Sequence, residues 1–332
     1  MEQVQILTIS DDDNGQRLDR WLKKQLPKVP YALIQKMVRT GQIRINGKRA
    51  KTDTRLAVND SIRIPPVETK SGPSIFIPKD DDESFLKKIT LYDDGEILVI
   101  NKPYGLPVQG GPNITRHIDG MLGALINKKG VKPRLIHRLD RDTSGLLVCA
   151  RSRKMTQSLG ALFESRDIKK IYYALVSPIP KEKSGIIDGA IIKGTKGDRK
   201  EAVIIDNDNG KPSRTLYNVV AENKTTNIAW LAFWPRTGRM HQIRVHTADI
   251  LGAPILGDEK YNGMCPLLDE LDLSHRLHLH AAHLIFRHPT SGELLKLSAP
   301  LPDDLKNSFA KLGFDLYSMP DPFDPPKDKV KA

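Results

Sequence analysis

A stretch of proline, glycine and acidic residues between positions 66 and 88 divides the chain into two parts of unequal length. It contains Ser71-Gly72-Pro73 and the run Asp80–Glu83, and such a composition is typical of a solvated linker between domains. We therefore expect two separately folding domains, followed by a proline-rich, poorly ordered tail. The predicted bounds are 14–65 for the small domain, 66–88 for the linker, 89–316 for the large domain and 317–332 for the tail.

Most of the positive charge lies in the small domain. The segment from Asn14 to Ile64 has 13 basic and 3 acidic residues, so it holds +10 of the +12 net charge of all 332 residues. Such a concentration indicates a polyanionic partner, either nucleic acid or an acidic membrane surface. A membrane surface requires a long helix with an apolar face, but Pro27, Pro30 and Gly41 interrupt the helices expected here. Nucleic acid is therefore the favoured partner.

Composition excludes several other classes of protein. Hydrophobic residues make up 39% of the chain, which is too many for a disordered protein, and no apolar run reaches the roughly 18 residues of a membrane span. The two cysteines, Cys149 and Cys265, are too few for a disulfide framework. No secretory signal follows Met1. We therefore expect a cytoplasmic protein without a membrane partner.

The hydrophobic pattern of the small domain predicts two short helices followed by a hairpin. Leu18–Leu26 and Leu33–Val38 show helical spacing, and Asn46-Gly47 is a strong turn signal ahead of the predicted strand Ser61–Ile64. Together with the string Arg17–Leu22, this pattern resembles the S4 RNA-binding module. The resemblance implies that basic side chains of this domain contact the phosphates of structured RNA. The candidates are Arg17, Arg20, Arg39, Arg44 and Lys48.

The large domain contains many short apolar runs and few helical ones. Glu96–Ile100, Leu146–Ala150 and Ile171–Val176 predict strands, whereas Met155–Glu164 and His241–Leu251 predict helices. This mixed order favours an α+β fold over a doubly wound α/β fold. The expected class is α+β, with a small S4-type αβ domain joined by the linker to a larger mixed-sheet domain.

One carboxylate of the large domain lies in a setting suited to chemistry. Asp140 stands between Arg138 and Arg141, just ahead of a Thr-Ser-Gly turn and a buried strand. A nearby guanidinium favours the ionised carboxylate, which a nucleophile or a base requires. A bare Arg-Leu-Asp-Arg is more often a surface ion pair or a turn cap, so these four residues alone do not identify a site.

A longer string around Asp140, His137–Gly145, is very similar to the signature of the RluA family of pseudouridine synthases. Further strings match the family in the same order, so the similarity extends from about Leu91 to Pro300. Within the family, the resemblance is to the enzymes of large-subunit ribosomal RNA. The additional strings are Asn101–Val108, Lys170–Val176, Thr237–His246, Pro254–Asp258 and Leu279–Ala281.

The resemblance implies an isomerase that breaks the C1′–N1 bond of a uridine in RNA, turns the uracil and forms a C1′–C5 bond. It implies that Asp140 is the catalytic aspartate, that Tyr172 stacks on the uracil and that Arg244 pairs with the aspartate. Chemistry on a base inside a helix requires the base to be extruded. Neither a cofactor nor a metal is expected. The remaining candidates, for contacts with the RNA or the flipped nucleotide, are Arg138, Arg141, Lys102, Arg239 and Ile243.

The implied partner is 23S ribosomal RNA or one of its assembly intermediates, bound by a monomer. Two alternative functions stay open: a non-catalytic RNA-binding or ribosome-assembly protein, and a metal-dependent RNA hydrolase. The second would use a histidine-rich string as ligands, namely His275, His278, His280 and His283. Tyr172 is also open to a structural role, with Tyr173 on the opposite face of the strand. Lys102 is equally consistent with a phosphate ligand and with a residue that only follows a strand.

Overall fold

The structure is a computed structural model that describes residues 4–27, 29–67, 78–79, 81–111, 114–127, 130–165, 167–196, 199–316 and 322–323. The chain divides into two compact units, residues 1–76 and 77–332. In the ranges just given, the helices are too short or too polar for any of them to cross a membrane.

The first unit packs two helices on a small antiparallel sheet with strand order β1-β4-β2-β3. Its elements are β1 (Gln5–Thr8), α1 (Leu18–Gln25), α2 (Tyr31–Arg39), β2 (Arg44–Ile45), β3 (Lys48–Arg49) and β4 (Ser61–Ile64). Asn46 and Gly47 have φ angles of 48° and 77° and form the β2–β3 turn, which confirms the hairpin signal. The predicted start at residue 14 is too late, because β1 pairs with β4 along its whole length.

The second unit is built on a large mixed sheet. Its elements are α3 (Asp82–Ile89), β5 (Thr90–Asp93), β6 (Ile97–Lys102), α4 (Ile118–Met121), β7 (Arg134–Leu135), β8 (Ser144–Ala150), α5 (Arg153–Ser165), β9 (Lys169–Val176), β10 (Ser184–Lys196), β11 (Arg199–Ile205), β12 (Lys211–Asn223), β13 (Ile228–Pro235), α6 (Gln242–Val245), α7 (Glu259–Asn262), α8 (Leu267–Glu270), β14 (Leu279–Arg287), β15 (Leu294–Ser298) and α9 (Asp303–Lys311). The main path of the sheet is β11-β10-β12-β13-β9-β14-β8-β6-β5, with β15 beside β14 and β7 beside β8. The β14–β8 pair is parallel and its neighbours are antiparallel, which confirms the α+β class.

The central strands β9 and β13 are buried on both faces. On one face Tyr173 and Trp230 pack against Phe309 of α9, and on the other face Ala174 and Phe233 belong to a second core cluster. Strands covered on both sides need no polar residues, so they appear in the sequence as continuous apolar runs. This is why their positions could be predicted.

The predicted linker, 66–88, is too long. Helix α3 begins at Asp82, and Leu86 in this helix is fully buried. Asp82 is also buried; it accepts hydrogen bonds from the Lys79 backbone N–H at 2.9 Å and from Arg116 at 3.0 Å. The acidic run that was expected to be solvated therefore supplies a buried carboxylate, which pairs with the partly exposed Arg116. Residues 68–77 and 80 of the predicted linker lie outside the described residues.

Of the predicted tail, 317–332, the structure describes only residues 322 and 323. The Phe323 ring packs edge-on against Trp234, with ring centroids 5.8 Å apart. The Pro322 carbonyl accepts a hydrogen bond from the Asn218 amide at 3.1 Å. At these two positions the chain is packed on the large unit, in contrast to the expected tail.

Candidate active site

Three adjacent strands place Tyr172 and the Asp140 loop on one row of the sheet. Tyr172 of β9 lies opposite Ala281 of β14, and Ala281 lies beside Gly145 of β8. Neighbouring strands are about 4.8 Å apart, so two strand spacings separate Tyr172 from the start of β8. Gly145 has a φ of 113°, and a Cβ there would lie 2.3 Å from the Ala281 carbonyl oxygen. Only glycine allows β8 to start this close to β14, directly after the Asp140 loop.

Lys102 holds the loop that carries Asp140. It is fully buried, and its ammonium donates to the carbonyl oxygens of Pro103, Leu106 and Arg141 at 2.8, 3.0 and 3.0 Å. Burial lowers the pKa of Lys102 to about 7. All three of its N–H donors are used by the backbone. Of the two roles left open for Lys102, these contacts favour the structural one over contact with RNA: this residue ties the loop after β6 to the loop that carries Asp140.

The guanidinium that faces Asp140 comes from Arg244 and not from its neighbours in sequence. Arg141 pairs with Asp142 at 2.9 Å, and Arg138 is exposed at the mouth of the site. Arg244 is buried, and its Nη1 lies 3.7 Å from Oδ2 of Asp140, whose side chain is 20% exposed. The positive charge nearest to Asp140 in the structure therefore comes from Arg244, which the family resemblance implied, and not from the adjacent Arg141, which pairs with Asp142.

Arg244 makes its shortest contacts with Asp258, which the sequence analysis did not select. Its Nε and Nη2 donate to the two carboxylate oxygens of Asp258 at 2.8 and 2.7 Å, and both side chains are buried. Burial acts to lower the pKa of Arg244, but the bonds and charge of Asp258 and the charge of Asp140 outweigh it, so the pKa is raised. Arg244 is therefore a fixed positive charge with one edge directed at Asp140.

The turn that carries this arginine is fixed by Gln242. Its Oε1 accepts from the Thr237 hydroxyl at 2.7 Å and from the Arg239 backbone N–H at 3.1 Å. Its Nε2 donates to the Arg214 carbonyl and the Thr215 hydroxyl at 3.0 and 2.9 Å. As a result, the Arg239 side chain is exposed at the rim, while α6 directs Arg244 inwards.

His241 is a second residue that the sequence analysis missed. Its Nε2 lies 3.7 Å from Oδ2 of Asp140, and its Nδ1 lies 2.7 Å from the Tyr261 hydroxyl. Both His241 and Asp258 were visible in the matching strings Thr237–His246 and Pro254–Asp258. Nothing in their spacing shows that the two strings meet at one carboxylate.

Asp140 and Tyr172 line one cleft of about 310 Å³. Burial, together with the charge of Asp140, raises the pKa of Tyr172, so its phenol stays protonated at neutral pH. Tyr173 faces the other way, and its hydroxyl lies 2.9 Å from Nε2 of His283. The cleft also includes Arg138, Lys193, Arg239, His241, Ile243 and Arg244.

A second cleft, of about 1000 Å³, shares Asp140 and Arg244 with the first. It is lined on the far side by Tyr104, whose ring lies over the Arg276 guanidinium at 4.4 Å. Arg138 borders both clefts. The volume of the second cleft is about three times that of the first.

The four histidines of the metal alternative each have a different partner. His275 lies 3.1 Å from Asp269, His278 3.0 Å from the Ser308 hydroxyl, His280 2.9 Å from the Ser144 hydroxyl and His283 2.7 Å from the Ser298 hydroxyl. Burial lowers the pKa of both His278 and His280 to about 4. In the part of the chain that the structure describes, no group of three His, Cys, Asp or Glu side chains could hold a metal ion.

The basic candidates of the first unit fall into two kinds. Arg17 donates to the buried carboxylate of Asp19 from Nε at 3.2 Å and from Nη2 at 2.8 Å, and the Tyr31 hydroxyl donates to the same carboxylate at 2.8 Å. The hydrogen bond from Arg17 is the main reason why the pKa of Asp19 is lowered. Arg17 therefore forms an ion pair with the buried Asp19 of the same unit. The exposed candidates are Arg20, Arg39, Arg44 and Lys48.

Comparisons with known proteins find a matching domain family in each of the two units. Residues 96–249 match the family described as RNA pseudouridylate synthase, and residues 16–62 match the S4 domain. The chain is 35% identical over 316 residues to Ribosomal large subunit pseudouridine synthase C of Vibrio vulnificus (strain CMCP6), covering 91% of this chain and 95% of that protein. It is 35% identical over 318 residues to the protein of the same name from Escherichia coli O157:H7, covering 93% and 97%.

A solved structure leads to the same family. Human RNA Pseudouridylate Synthase Domain Containing 4 superposes with a TM-score of 0.58 at 30% identity, over 70% of this chain and 96% of that one. The relatives are similar along nearly their whole length, so the similarity includes the strands and loops that form the cleft. This chain therefore belongs to the RNA pseudouridylate synthase family, with an S4 domain ahead of its synthase domain.

Proposed function

We propose that this enzyme converts uridines of large-subunit (23S) ribosomal RNA to pseudouridine and that Asp140 is its catalytic carboxylate. One observation supports this assignment above all: Oδ2 of Asp140 lies 3.7 Å from the buried Arg244 guanidinium, in the same cleft as Tyr172. The substrate class is supported by the relatives, whose names place them at the large ribosomal subunit.

In this proposal each side chain of the cleft has a separate task. Breaking the C1′–N1 bond requires an ionised carboxylate near the sugar, either to attack C1′ or to remove a sugar proton. Arg244 places a positive charge 3.7 Å from the Asp140 carboxylate, and Asp258 already holds this guanidinium in place. The ring of Tyr172 offers the freed uracil a stacking surface while it turns to present C5. When the C1′–C5 bond has formed, C5 loses its proton and N1 gains one, so no atom is gained or lost.

Binding of the RNA involves both units. Arg138, at the border of the two clefts, is placed to occupy the space that an extruded nucleotide leaves, and Arg141 and Arg239 are exposed cations near it. The larger cleft accommodates the flanking nucleotides. Exposed arginines and lysines of the S4 domain add contacts with phosphates that are independent of sequence. We propose that the enzyme acts as a cytoplasmic monomer on 23S RNA or on an assembly intermediate.

The test is tritium release from large-subunit ribosomal RNA labelled at C5 of uridine. The wild-type enzyme should release tritium, Asp140→Asn should release none, and Asp142→Asn should release it at a rate within about tenfold of wild type. Asp142 is the matched control because it adjoins Asp140 but pairs with Arg141. Absence of release by the wild-type enzyme from naked RNA and from subunit precursors would favour the non-catalytic alternative. Full activity of Asp140→Asn would show that another group does the chemistry.

A further inference from the structure

His241 has an unusual backbone as well as a central position. It has a φ of 54°, in the left-handed region, and stands between β13 and α6. The other non-glycine residues with positive φ in the described ranges are asparagines and an aspartate, namely Asn46, Asn59, Asn227 and Asp272. A backbone of this kind next to a reacting group is a reason to ask what the side chain does.

The hydrogen bonds around Tyr261 favour one of the two tautomers of His241. The Val203 backbone N–H donates to the Tyr261 oxygen at 3.2 Å, and that oxygen lies 2.7 Å from Nδ1 of His241. Burial raises the pKa of Tyr261 to about 12, so the phenol keeps its proton. With its oxygen accepting from Val203, the hydroxyl has its own hydrogen left to donate, and Nδ1 of His241 at 2.7 Å is placed to accept it. A neutral ring that accepts at Nδ1 carries its proton at Nε2, which is the nitrogen that faces Asp140.

Burial is the main reason why the His241 ring stays neutral. His241 is faced by Asp140, Arg244, Asp258 and Lys260. Burial lowers the pKa of His241; Arg244 and Lys260 act in the same direction, and the two carboxylates act against them. The result is an uncharged N–H donor aimed at the carboxylate.

We propose that His241, locked by Tyr261 as the Nε2–H tautomer, is a positioning residue that directs a second donor at the Asp140 carboxylate. Arg244 supplies charge to this carboxylate, and His241 supplies orientation without neutralising it. The present separation of 3.7 Å is longer than a hydrogen bond, and such contacts commonly shorten when substrate binds. This inference rests on the proposed role of Asp140.

The same short loop anchors both donors. Asp258 holds Arg244, and Tyr261, three residues further on, holds His241, which is itself three residues before Arg244. Asp258 also accepts the Tyr261 backbone N–H at 3.3 Å, and the Arg244 guanidinium lies 5.2 Å from the Tyr261 ring. The two pairs therefore form one interlocked unit around Asp140.

The decisive comparison is between two amides at position 241. The amide nitrogen of glutamine can reach the place of Nε2, whereas that of asparagine reaches only the place of Nδ1. Asparagine suits the left-handed backbone better than glutamine, so poor folding cannot explain a loss in His241→Asn. In single-turnover tritium release at saturating RNA, His241→Asn should be on the order of 100-fold slower, which is the cost of a misplaced reacting group, and His241→Gln should recover most of the rate. RNA affinity should change less than about twofold.

Nitrogen NMR of the enzyme with labelled histidine shows which ring nitrogen carries the proton, and this measurement does not depend on catalytic activity. The wild type should show His241 as the Nε2–H form, and Tyr261→Phe should lose this preference and move the acid limb of the pH–rate profile to higher pH. Tyr217→Phe is the matched control, because the Tyr217 hydroxyl contacts the Glu182 carbonyl instead. An Nδ1–H signal in the wild type would overturn the proposal, as would equal rates for the two position-241 amides. An inactive wild type would instead refute the proposed function.

Discussion

Arg244 lies between two carboxylates, and the structure predicts that they divide stability and catalysis between them. Asp258 forms two hydrogen bonds with Arg244 inside the protein, whereas Asp140 lies 3.7 Å away and is partly exposed. Removing one member of a buried ion pair costs about 3 to 5 kcal/mol, because the other charge is left without compensation. Asp140 takes over part of that compensation, so we expect Asp258→Asn to lose about 3 kcal/mol.

Asparagine at position 258 can still accept the Tyr261 backbone N–H, so this variant removes the ion pair and keeps the helix cap. A loss of about 3 kcal/mol corresponds to a melting temperature lower by on the order of 10 °C for a unit of this size. Asp140→Asn should lose less than about 1 kcal/mol, since its contacts are long and partly solvated. Calorimetry of the full chain, with the transition of the synthase unit followed separately from that of the S4 unit, measures both values.

A double variant makes the prediction sharper. In Asp258→Asn/Arg244→Met the uncompensated charge is gone, so most of the lost stability should return, while tritium release should stay absent. Equal destabilisation by Asp140→Asn and Asp258→Asn would refute this division of roles. So would an Asp258→Asn enzyme with unchanged melting temperature and unchanged rate.

Three further outcomes follow from the contacts. Tyr172→Leu, which removes the stacking ring, should slow tritium release far more than it weakens RNA binding, whereas Tyr173→Phe, which loses the hydroxyl contact with His283 on the opposite face, should cost about 1 kcal/mol of stability and keep the rate. Lys102→Met should leave the salt dependence of RNA binding unchanged. The pKa of Lys102 is about 7 in the folded protein, so between pH 7 and about 10 the unfolded chain binds one more proton than the folded chain. The wild-type protein should therefore become more stable as the pH rises through this range, and Lys102→Met should lack that gain. In filter-binding titrations, Arg20→Ala should lower the slope of log affinity against log salt by about 0.7 to 0.9, whereas Arg17→Ala should leave the slope unchanged and destabilise the S4 unit around Asp19.

The elements that could be predicted from the sequence are those whose environment is uniform along the chain. Leu146–Ala150 and Ile171–Val176 lie within strands buried on both faces, so their burial is visible as an apolar run. The failures occur where a polar residue is buried with a distant partner. Asp82 was expected to be solvated because the Arg116 that pairs with it lies 34 residues further on. Lys102 was left open because three backbone carbonyls, two of them local, decide its role.

Distant partners are also the reason why only part of the site could be predicted from the sequence. The sequence favours the arginines that flank Asp140 as its partners, yet Arg141 forms an ion pair with Asp142. The residues that orient Asp140 come from the turn after β13, and the residues that orient them come from the loop before α7. Their distances of 3.7 Å from Asp140, against 2.7 Å from their own anchors, show that the anchors determine where these donors stand. Asp140 is thereby left incompletely bound, which is what the proposed reaction of its carboxylate with a sugar requires.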